Sequence, residues 1–394
     1  KIMFDYKKQF LFNFVPKLRF GYKITNLCSE ELKSILGTKI LFVSDKGLKK
    51  QKIFLDLIFH LKEINIEVLI FDSVVADPTL KNVYECLDAA KKFKPTGILG
   101  FGGGSPMDVA KVVSLLYGSN QNLEQIWGVN KASGSRIPLC LIPTTAGTGS
   151  EVTPISIITT DNEEKKGIVT SHILPDITIV DPYFSLSLPA DITAYSGIDA
   201  IVHAIEAFTS KNINNNYLSK IFSVEALKLL SSSIKGAVFE SENKEFRGNM
   251  LLGSTFAGIA FANSPVAGVH ALAYPIGGIF KVPHGLSNSL ILPEVIKFNY
   301  FNSNISRDYD YLSEIIFSHY DFNIKNNDNY YYIFDGLKSL CMELNLPVRL
   351  RDIGINLEDC EKLAKEAMKQ TRLLVNNPVE IRYEDALSIY KKSW

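Results

Sequence analysis

The segment Gly97-Ile-Leu-Gly-Phe-Gly-Gly-Gly-Ser-Pro-Met-Asp-Val-Ala-Lys111 decides how the first half of this 394-residue chain folds. An apolar run ends in glycines and passes into a Ser-Pro pair, the order of a buried strand, a tight turn and a helix. Residues 97–101 read as the strand and 105–117 as the helix. Ser105 is expected to cap that helix, Pro106 to take its first position, and Asp108 to complete a capping box with Ser105. The helix amino terminus, reached through Gly102, Gly103 and Gly104, then suits a phosphate; the same pattern also describes a capped turn that binds nothing.

The same alternation repeats upstream, after an irregular, aromatic-rich opening. Residues 39–44 form an apolar run ending in Asp45 and 48–63 are helical; 67–71 and 79–93 repeat the pattern. Strands alternating with helices predict a parallel sheet covered on both faces, with ligands at the carboxyl ends of its strands. Downstream, 137–142 reads as a further strand running into Pro143-Thr-Thr-Ala-Gly-Thr-Gly-Ser-Glu151. The hydroxyls of Thr144, Thr145, Thr148 and Ser150 suit a polar ligand or a solvated turn, and two such loops after strands favour a nucleotide cleft. Asp45 is either a turn or cap residue or an acceptor for ribose hydroxyls that repels a 2′-phosphate. Residues 161–182 read as a hairpin-type segment, and from 188 onward the pattern is helical. This places a domain boundary near 185, giving 1–185 and 186–394. The Asn/Tyr-rich stretch 322–332 reads as a polar loop.

In the second half, Asp199 and His203 stand four apart on a helix that is apolar almost all round, so both project from one buried face. That pair alone is satisfied by an Asp–His hydrogen bond. His270 lies in a helical segment, 249–276, and His284 follows Pro283 at the start of another helix, with Gly277-Gly278 as the bend that returns the chain. Half of the six histidines fall in this region. Four potential ligands on three buried helices favour a divalent metal, with an apolar lining from Phe256, Ile259, Phe261 and Pro265.

Composition limits the partners. Lysine plus arginine and aspartate plus glutamate both number 42. No net charge draws nucleic acid or an acidic membrane, so a small molecule is the expected ligand. Five scattered cysteines without a CxxC fit a reducing cytosol. No window approaches the roughly 18 apolar residues of a membrane span, and no signal-peptide core follows Lys1. A cytoplasmic protein is expected.

Taken together and in order, Gly-Gly-Gly-Ser-Pro-Met-Asp-Val-Ala-Lys (102–111), Pro-Thr-Thr-Ala-Gly-Thr-Gly-Ser-Glu (143–151), Ser-Gly-Ile-Asp-Ala-Ile-Val-His-Ala-Ile-Glu (196–206) and His270 through Val-Pro-His-Gly (282–285) closely resemble the iron-containing, group III alcohol dehydrogenases. The ending Asn-Pro-Val-Glu-Ile-Arg-Tyr-Glu-Asp-Ala-Leu-Ser-Ile-Tyr (377–390) is similar to that family's carboxyl terminus. The resemblance implies an amino-terminal α/β dinucleotide-binding domain with a parallel sheet and an all-α metal-binding domain, the dehydroquinate synthase-like architecture, with cofactor and metal meeting in a cleft. It implies Asp199, His203, His270 and His284 as ligands of Fe(II), with Zn(II) as the alternative. NAD, in preference to NADP, would be held by Asp45, Gly102, Gly103, Gly104, Ser105, Asp108, Thr144, Thr145, Thr148 and Lys165. A homo-oligomer, dimer first, is implied as well.

One position departs from the family. Many members carry a histidine four residues after the third ligand, and here Tyr274 stands there. The histidine proton relay is not carried over, which leaves water, Tyr274, a ribose hydroxyl or a threonine. The expected reaction interconverts a small alcohol and its aldehyde or ketone. A hydroxyacid–oxoacid transhydrogenase, a glycerol-type dehydrogenase, a lyase of the dehydroquinate synthase kind and a non-catalytic relative are the alternatives on the same scaffold.

Overall fold

Alternate residues of each central strand face opposite helical layers, and this is why the strands are apolar on both sides. The computed structural model describes residues 2, 7–161, 164–320 and 332–394. The stretch 322–332, expected as a polar loop, lies outside them except for Tyr332. Strands β1 (Leu18–Phe20), β2 (Lys39–Asp45), β3 (Glu67–Val74), β4 (Gly97–Gly102), β5 (Gly128–Val129), β6 (Leu139–Pro143), β7 (Ile155–Thr159), β8 (Lys165–Val169) and β9 (Ile177–Val180) form two sheets. The larger is fully parallel in the order β1-β9-β6-β4-β2-β3.

Helices of this region are α1 (Ser29–Leu36), α2 (Lys46–Lys49), α3 (Lys52–Glu63), α4 (Leu80–Phe93), α5 (Gly104–Ser119) and α6 (Leu123–Ile126). On one face of the sheet Ile40, Phe42, Leu99, Phe101 and Ile142 pack with Leu32, Leu36, Phe54 and Leu57 of α1 and α3. On the other, Leu41, Val43, Ile98 and Leu141 pack with Val83 and Leu87 of α4 and Met107, Ala110 and Val113 of α5. Each fully buried aliphatic or aromatic side chain contributes about 1.5–3 kcal/mol. The Gly97–Lys111 segment therefore supplies the central strand and the helix that covers it.

Two expectations for this half are corrected. The opening is not wholly irregular, because Leu18–Phe20 pairs in parallel with β9 at the sheet edge. Residues 161–182 are not one hairpin: β8 pairs antiparallel with the upstream β7, while β9 joins the main sheet beside β6. The apolar run Ile177–Val180 is buried throughout, which suits a central strand rather than a hairpin arm.

The rest of the described chain is helical: α7 (Ala190–Thr209), α8 (Tyr217–Phe239), α9 (Lys244–Asn263), α10 (Gly268–Phe280), α11 (His284–Asn302), α12 (Ser306–Phe317), α13 (Ile333–Glu343), α14 (Asp359–Ala367), α15 (Thr371–Leu374) and α16 (Tyr383–Ser393). Two compact units result, Asn13–Leu188 and Pro189–Trp394, the latter joined by the chain start through Phe12. Leu11 makes main-chain bonds at both its N–H and carbonyl with the Asn214 amide, 2.9 and 2.8 Å.

The bend expected at Gly277-Gly278 is elsewhere. Both glycines lie inside α10; the chain turns by 107° between α9 and α10, around Pro265, and again after Lys281, which is left-handed at φ 56°. Among the described residues no single helix is long and apolar enough to cross a membrane.

Candidate functional site

Helix α7 carries Asp199 and His203 on a face that is buried because the whole helix is sandwiched: fifteen of its residues are inaccessible to solvent. His270 sits in the first turn of α10 and His284 opens α11. Gly285 explains how α11 reaches α7. A Cβ at this position would lie 2.2 Å from the Tyr195 carbonyl oxygen, so glycine alone permits the approach that brings His284 to Asp199.

One donor atom from each of Asp199, His203, His270 and His284 falls within 4.8 Å of the others. Asp199 Oδ1 lies 3.9, 3.6 and 3.5 Å from the Nε2 atoms of His203, His270 and His284. The bland alternative, a simple Asp–His pair, is not what forms, since three imidazoles converge on one carboxylate oxygen. Burial disfavours the Asp199 carboxylate, yet the three histidines outweigh it and hold the group below the ordinary range. Burial likewise works against His270, but Asp199 and Glu206 raise it to about 9. The pocket is thus built to hold positive charge. Three imidazole nitrogens with one carboxylate are a donor set for a divalent cation, and their convergence fits one. Beside them Asn288 Oδ1 is buried with no hydrogen-bond partner among the described residues, while its amide nitrogen sits 2.6 Å from Asp199 Oδ1.

The walls are aromatic. His203 is stacked between the rings of Phe261 and His270, centroids 4.3 and 4.7 Å away. Of the four donors only His284 is substantially accessible, with 33 % of its side chain exposed, and Tyr274 lies on that side, ring centroid 5.7 Å from His284. Of the expected apolar lining, Phe261 touches the cluster. Ile259 is core, and Phe256 pairs edge-on with Phe222.

In the α/β unit the turn into α5 presents main-chain groups, braced by a buried side-chain network. Helix α5 starts at Gly104 with Gly103 as its cap residue, and no side chain caps it. The expected Ser105–Asp108 capping box is therefore absent. Ser105 falls inside the first turn, and the Asp108 carboxylate turns inward, accepting from Ser150 Oγ at 2.6 Å and Ile157 N at 2.9 Å, with Lys111 Nζ 3.6 Å away. Burial pushes this carboxyl up despite those partners. Lys111, wholly buried, donates to Ser150 Oγ, Thr153 Oγ1 and the Ile155 carbonyl; burial lowers it to about 8. Asp108 thus braces the loop at Ser150 and the start of β7.

The bare helix end offers unpaired N–H groups, the physical requirement for an anion site. The threonine loop lies against it. Thr144 N donates to the Gly102 carbonyl at 2.9 Å, and a Cβ on Gly103 or Gly104 would meet Thr145 Oγ1 at 3.5 Å or Thr148 Cγ2 at 3.0 Å. Gly102, at φ +147°, makes the turn between strand and helix. Asp45 ends β2 and caps α2, its Oδ1 accepting from Leu48 N at 3.0 Å. Lys165 begins β8 and pairs with Asp77 at 2.6 Å in the loop after β3.

Sequence reasoning named Phe261 as apolar lining, and it missed Asn288 and Glu206. The signals were present, since Asn288 is one turn after His284 and Glu206 one turn after His203.

Two family patterns match the chain: iron-containing alcohol dehydrogenase over residues 16–182 and the carboxyl-terminal part of the Fe-containing alcohol dehydrogenase family over 193–394. Long-chain-alcohol dehydrogenase 1 of Geobacillus thermodenitrificans is 33 % identical over 97 % of this chain and 96 % of its own length. The crystal structure of a 1,3-propanediol oxidoreductase superposes with a TM-score of 0.91 at 30 % identity, covering 98 % of this chain and 100 % of that one. Sulfoacetaldehyde reductase from Bifidobacterium kashiwanohense, solved in complex with NAD+, gives a TM-score of 0.86 at 26 % identity over 98 % of each chain. The chain belongs to the iron-containing alcohol dehydrogenase family and is a metal-dependent alcohol dehydrogenase.

Proposed function

We propose that this enzyme interconverts a small primary or short-chain alcohol and its aldehyde or ketone with NAD(H) as hydride carrier, using Fe(II), or Zn(II) in its place, held by Asp199, His203, His270 and His284. The observation that carries the reading is the convergence of those donors within 4.8 Å in a buried pocket. A divalent metal there supplies Lewis-acid polarisation of the alcohol oxygen. The protein does the rest. His203, clamped between Phe261 and His270, keeps its orientation, and the aromatic wall excludes water from that side.

Tyr274, next to the accessible histidine, is the side chain assigned to pass the hydroxyl proton, in the place where many family members have histidine. The uncapped start of α5, with Gly102, Gly103, Gly104 and Ser105, binds the pyrophosphate, and Thr144, Thr145 and Thr148 line the nucleotide. Asp108 acts indirectly, by bracing Ser150. Asp45 accepts from the ribose and disfavours a 2′-phosphate, and Lys165 lies at the edge of the nucleotide site, held by Asp77. Relatives named for long-chain alcohols, 1,3-propanediol and sulfoacetaldehyde leave chain length open and share the alcohol–aldehyde pair. The five cysteines are free and buried, which suits a reducing, cytoplasmic setting; assembly as a homo-oligomer, dimer first, completes the reading.

Anaerobic purification with metal analysis, followed at once by NADH and NADPH oxidation against aldehydes and ketones of increasing size, tests it. Stoichiometric iron and faster turnover with NADH are expected. A metal-loaded protein that oxidises neither cofactor across the panel would overturn the reading.

A further inference from the structure

Glu206 is fully enclosed on α7, one turn beyond His203, in a helix where every neighbouring residue is apolar or already engaged. Its carboxylate receives three hydrogen bonds, all from the start of α10. Oε2 accepts from Ala267 N at 3.0 Å and lies 2.7 Å from His270 Nδ1, and Oε1 accepts from Val269 N at 2.6 Å. The turn before α10 is tied to the same helix a second time, Ser264 Oγ donating to the Ala207 carbonyl at 2.7 Å.

An oxygen pair already accepting from two main-chain N–H groups acts as acceptor toward the imidazole too, so Nδ1 keeps its hydrogen, and Nε2 is the nitrogen that gives up its proton and presents a lone pair when a metal binds. Nε2 is the atom that faces Asp199, at 3.6 Å. We propose that Glu206 is a positioning residue of the metal centre. One side chain fixes the tautomer of His270, fixes the direction of its ring, and locks the helix bearing that histidine to the helix bearing Asp199 and His203.

The geometry separates Glu206 from an ordinary helix cap. A cap needs only the main-chain contacts, which any acceptor at this site supplies. The third bond, to Nδ1, lies outside the capping contacts and sets the His270 ring, and so bears on what Nε2 can coordinate. Outer partners of metal-binding histidines typically contribute 10- to 100-fold in metal affinity.

This inference rests on the reading that Asp199, His203, His270 and His284 bind a metal. The test is zinc affinity of the full-length protein, stripped and reloaded, measured against a competing chelator for the native sequence, Glu206→Gln and Glu206→Asp. Glu206→Gln keeps the shape but sets an amide N–H against one of three donors; Glu206→Asp keeps the charge at shorter reach. Affinity is expected to fall about 10- to 100-fold in Glu206→Gln, with Glu206→Asp intermediate. Zinc-loaded native protein is expected to show a hydrogen-bonded imidazole Nδ1–H by NMR that is absent in His270→Ala.

Folded Glu206→Gln that binds zinc as tightly as the native protein would overturn the proposal. If neither variant folds, the NMR measurement decides, because a zinc-loaded native protein whose His270 carries no proton on Nδ1 also overturns it. A native protein that binds no zinc or iron overturns the metal reading itself, a different outcome from equal binding by native and variant.

Discussion

The helical unit makes its polar cluster from side-chain atoms, whereas the α/β unit makes its own from the main chain. Asp199, His203, His270 and His284 meet because three helices deliver particular nitrogens and one oxygen to a single point. At the start of α5, the proposed pyrophosphate site, the groups on offer are peptide N–H groups common to all residues, and what matters is that no side chain caps them and that glycines let the turn form. A site of the first kind fails when an atom is removed. One of the second kind fails when a conformation is denied.

Four mutations and one titration press on that difference. His270→Ala removes an atom, and its metal content in equilibrium with a chelator should fall more than about a hundredfold, beyond the range of outer partners, while nicotinamide binding is retained; full metal and full turnover would sink the ligand assignment. Tyr274→Phe removes one hydroxyl beside the cluster and should lower kcat about a hundredfold with metal unchanged, the lower end of general acid–base effects. An unchanged kcat would move the proton route to water or the nucleotide.

Gly102→Ala leaves every polar atom in place but sets a Cβ 2.9 Å from Pro106 Cγ at φ +147°. It should cost about 1–3 kcal/mol of stability and weaken NADH binding, with zinc affinity intact, as read by thermal unfolding and calorimetry. Loss of metal instead would dissolve the contrast between the two units. Asp45→Ala should cost about 1 kcal/mol through the lost cap of α2 and narrow the preference for NADH over NADPH in kcat/KM; an unchanged preference would leave Asp45 as a cap alone.

The titration concerns Lys111, lowered by burial to about 8 in the folded chain against 10.5 when free. Between those values the unfolded chain binds the proton and the folded chain does not, so this group's contribution to stability rises with pH. It is fully gained above about 10.5 and lost as pH falls through 8. Relative to Lys111→Met, the native protein should gain on the order of 1 kcal/mol per pH unit across that window, as judged by denaturant unfolding at pH 7.5 and 9.5. A difference that stays flat would show the lysine to be charged throughout.

How much of this was legible follows the same division. The sheet could be read because Ile40–Val43, Ile98–Leu99 and Leu139–Ile142 are apolar on both faces, and a two-sided core leaves that mark. The cluster could be read because histidine is scarce and a buried Asp–His pair at helical spacing demands a partner. The uncapped helix end was misread: Ser105 and Asp108 have the spacing of a capping box, but the network of Lys111, Ser150 and Ile157 claims Asp108 and leaves the N–H groups bare. Nothing local in the sequence signals that competition. Strand β1 was missed since three residues at a sheet edge carry no period. The bend was placed at Gly277-Gly278 because glycines suggest turns, whereas Pro265 and the left-handed Lys281 make the turns. Glu206 was visible as a buried carboxylate, but its partners lie far along the chain.

The glycine under the Tyr195 carbonyl has a thermodynamic meaning. By letting α11 dock against α7, Gly285 closes a ring of donors drawn from distant parts of the chain. An ion bound there is then a reversible cross-link that the unfolded chain does not match. Its contribution grows with the logarithm of free metal, about 2.7 kcal/mol at one hundred times the dissociation constant. On the proposed function the helical unit would act as a thermometer of its own loading: its unfolding temperature is expected to climb with available metal.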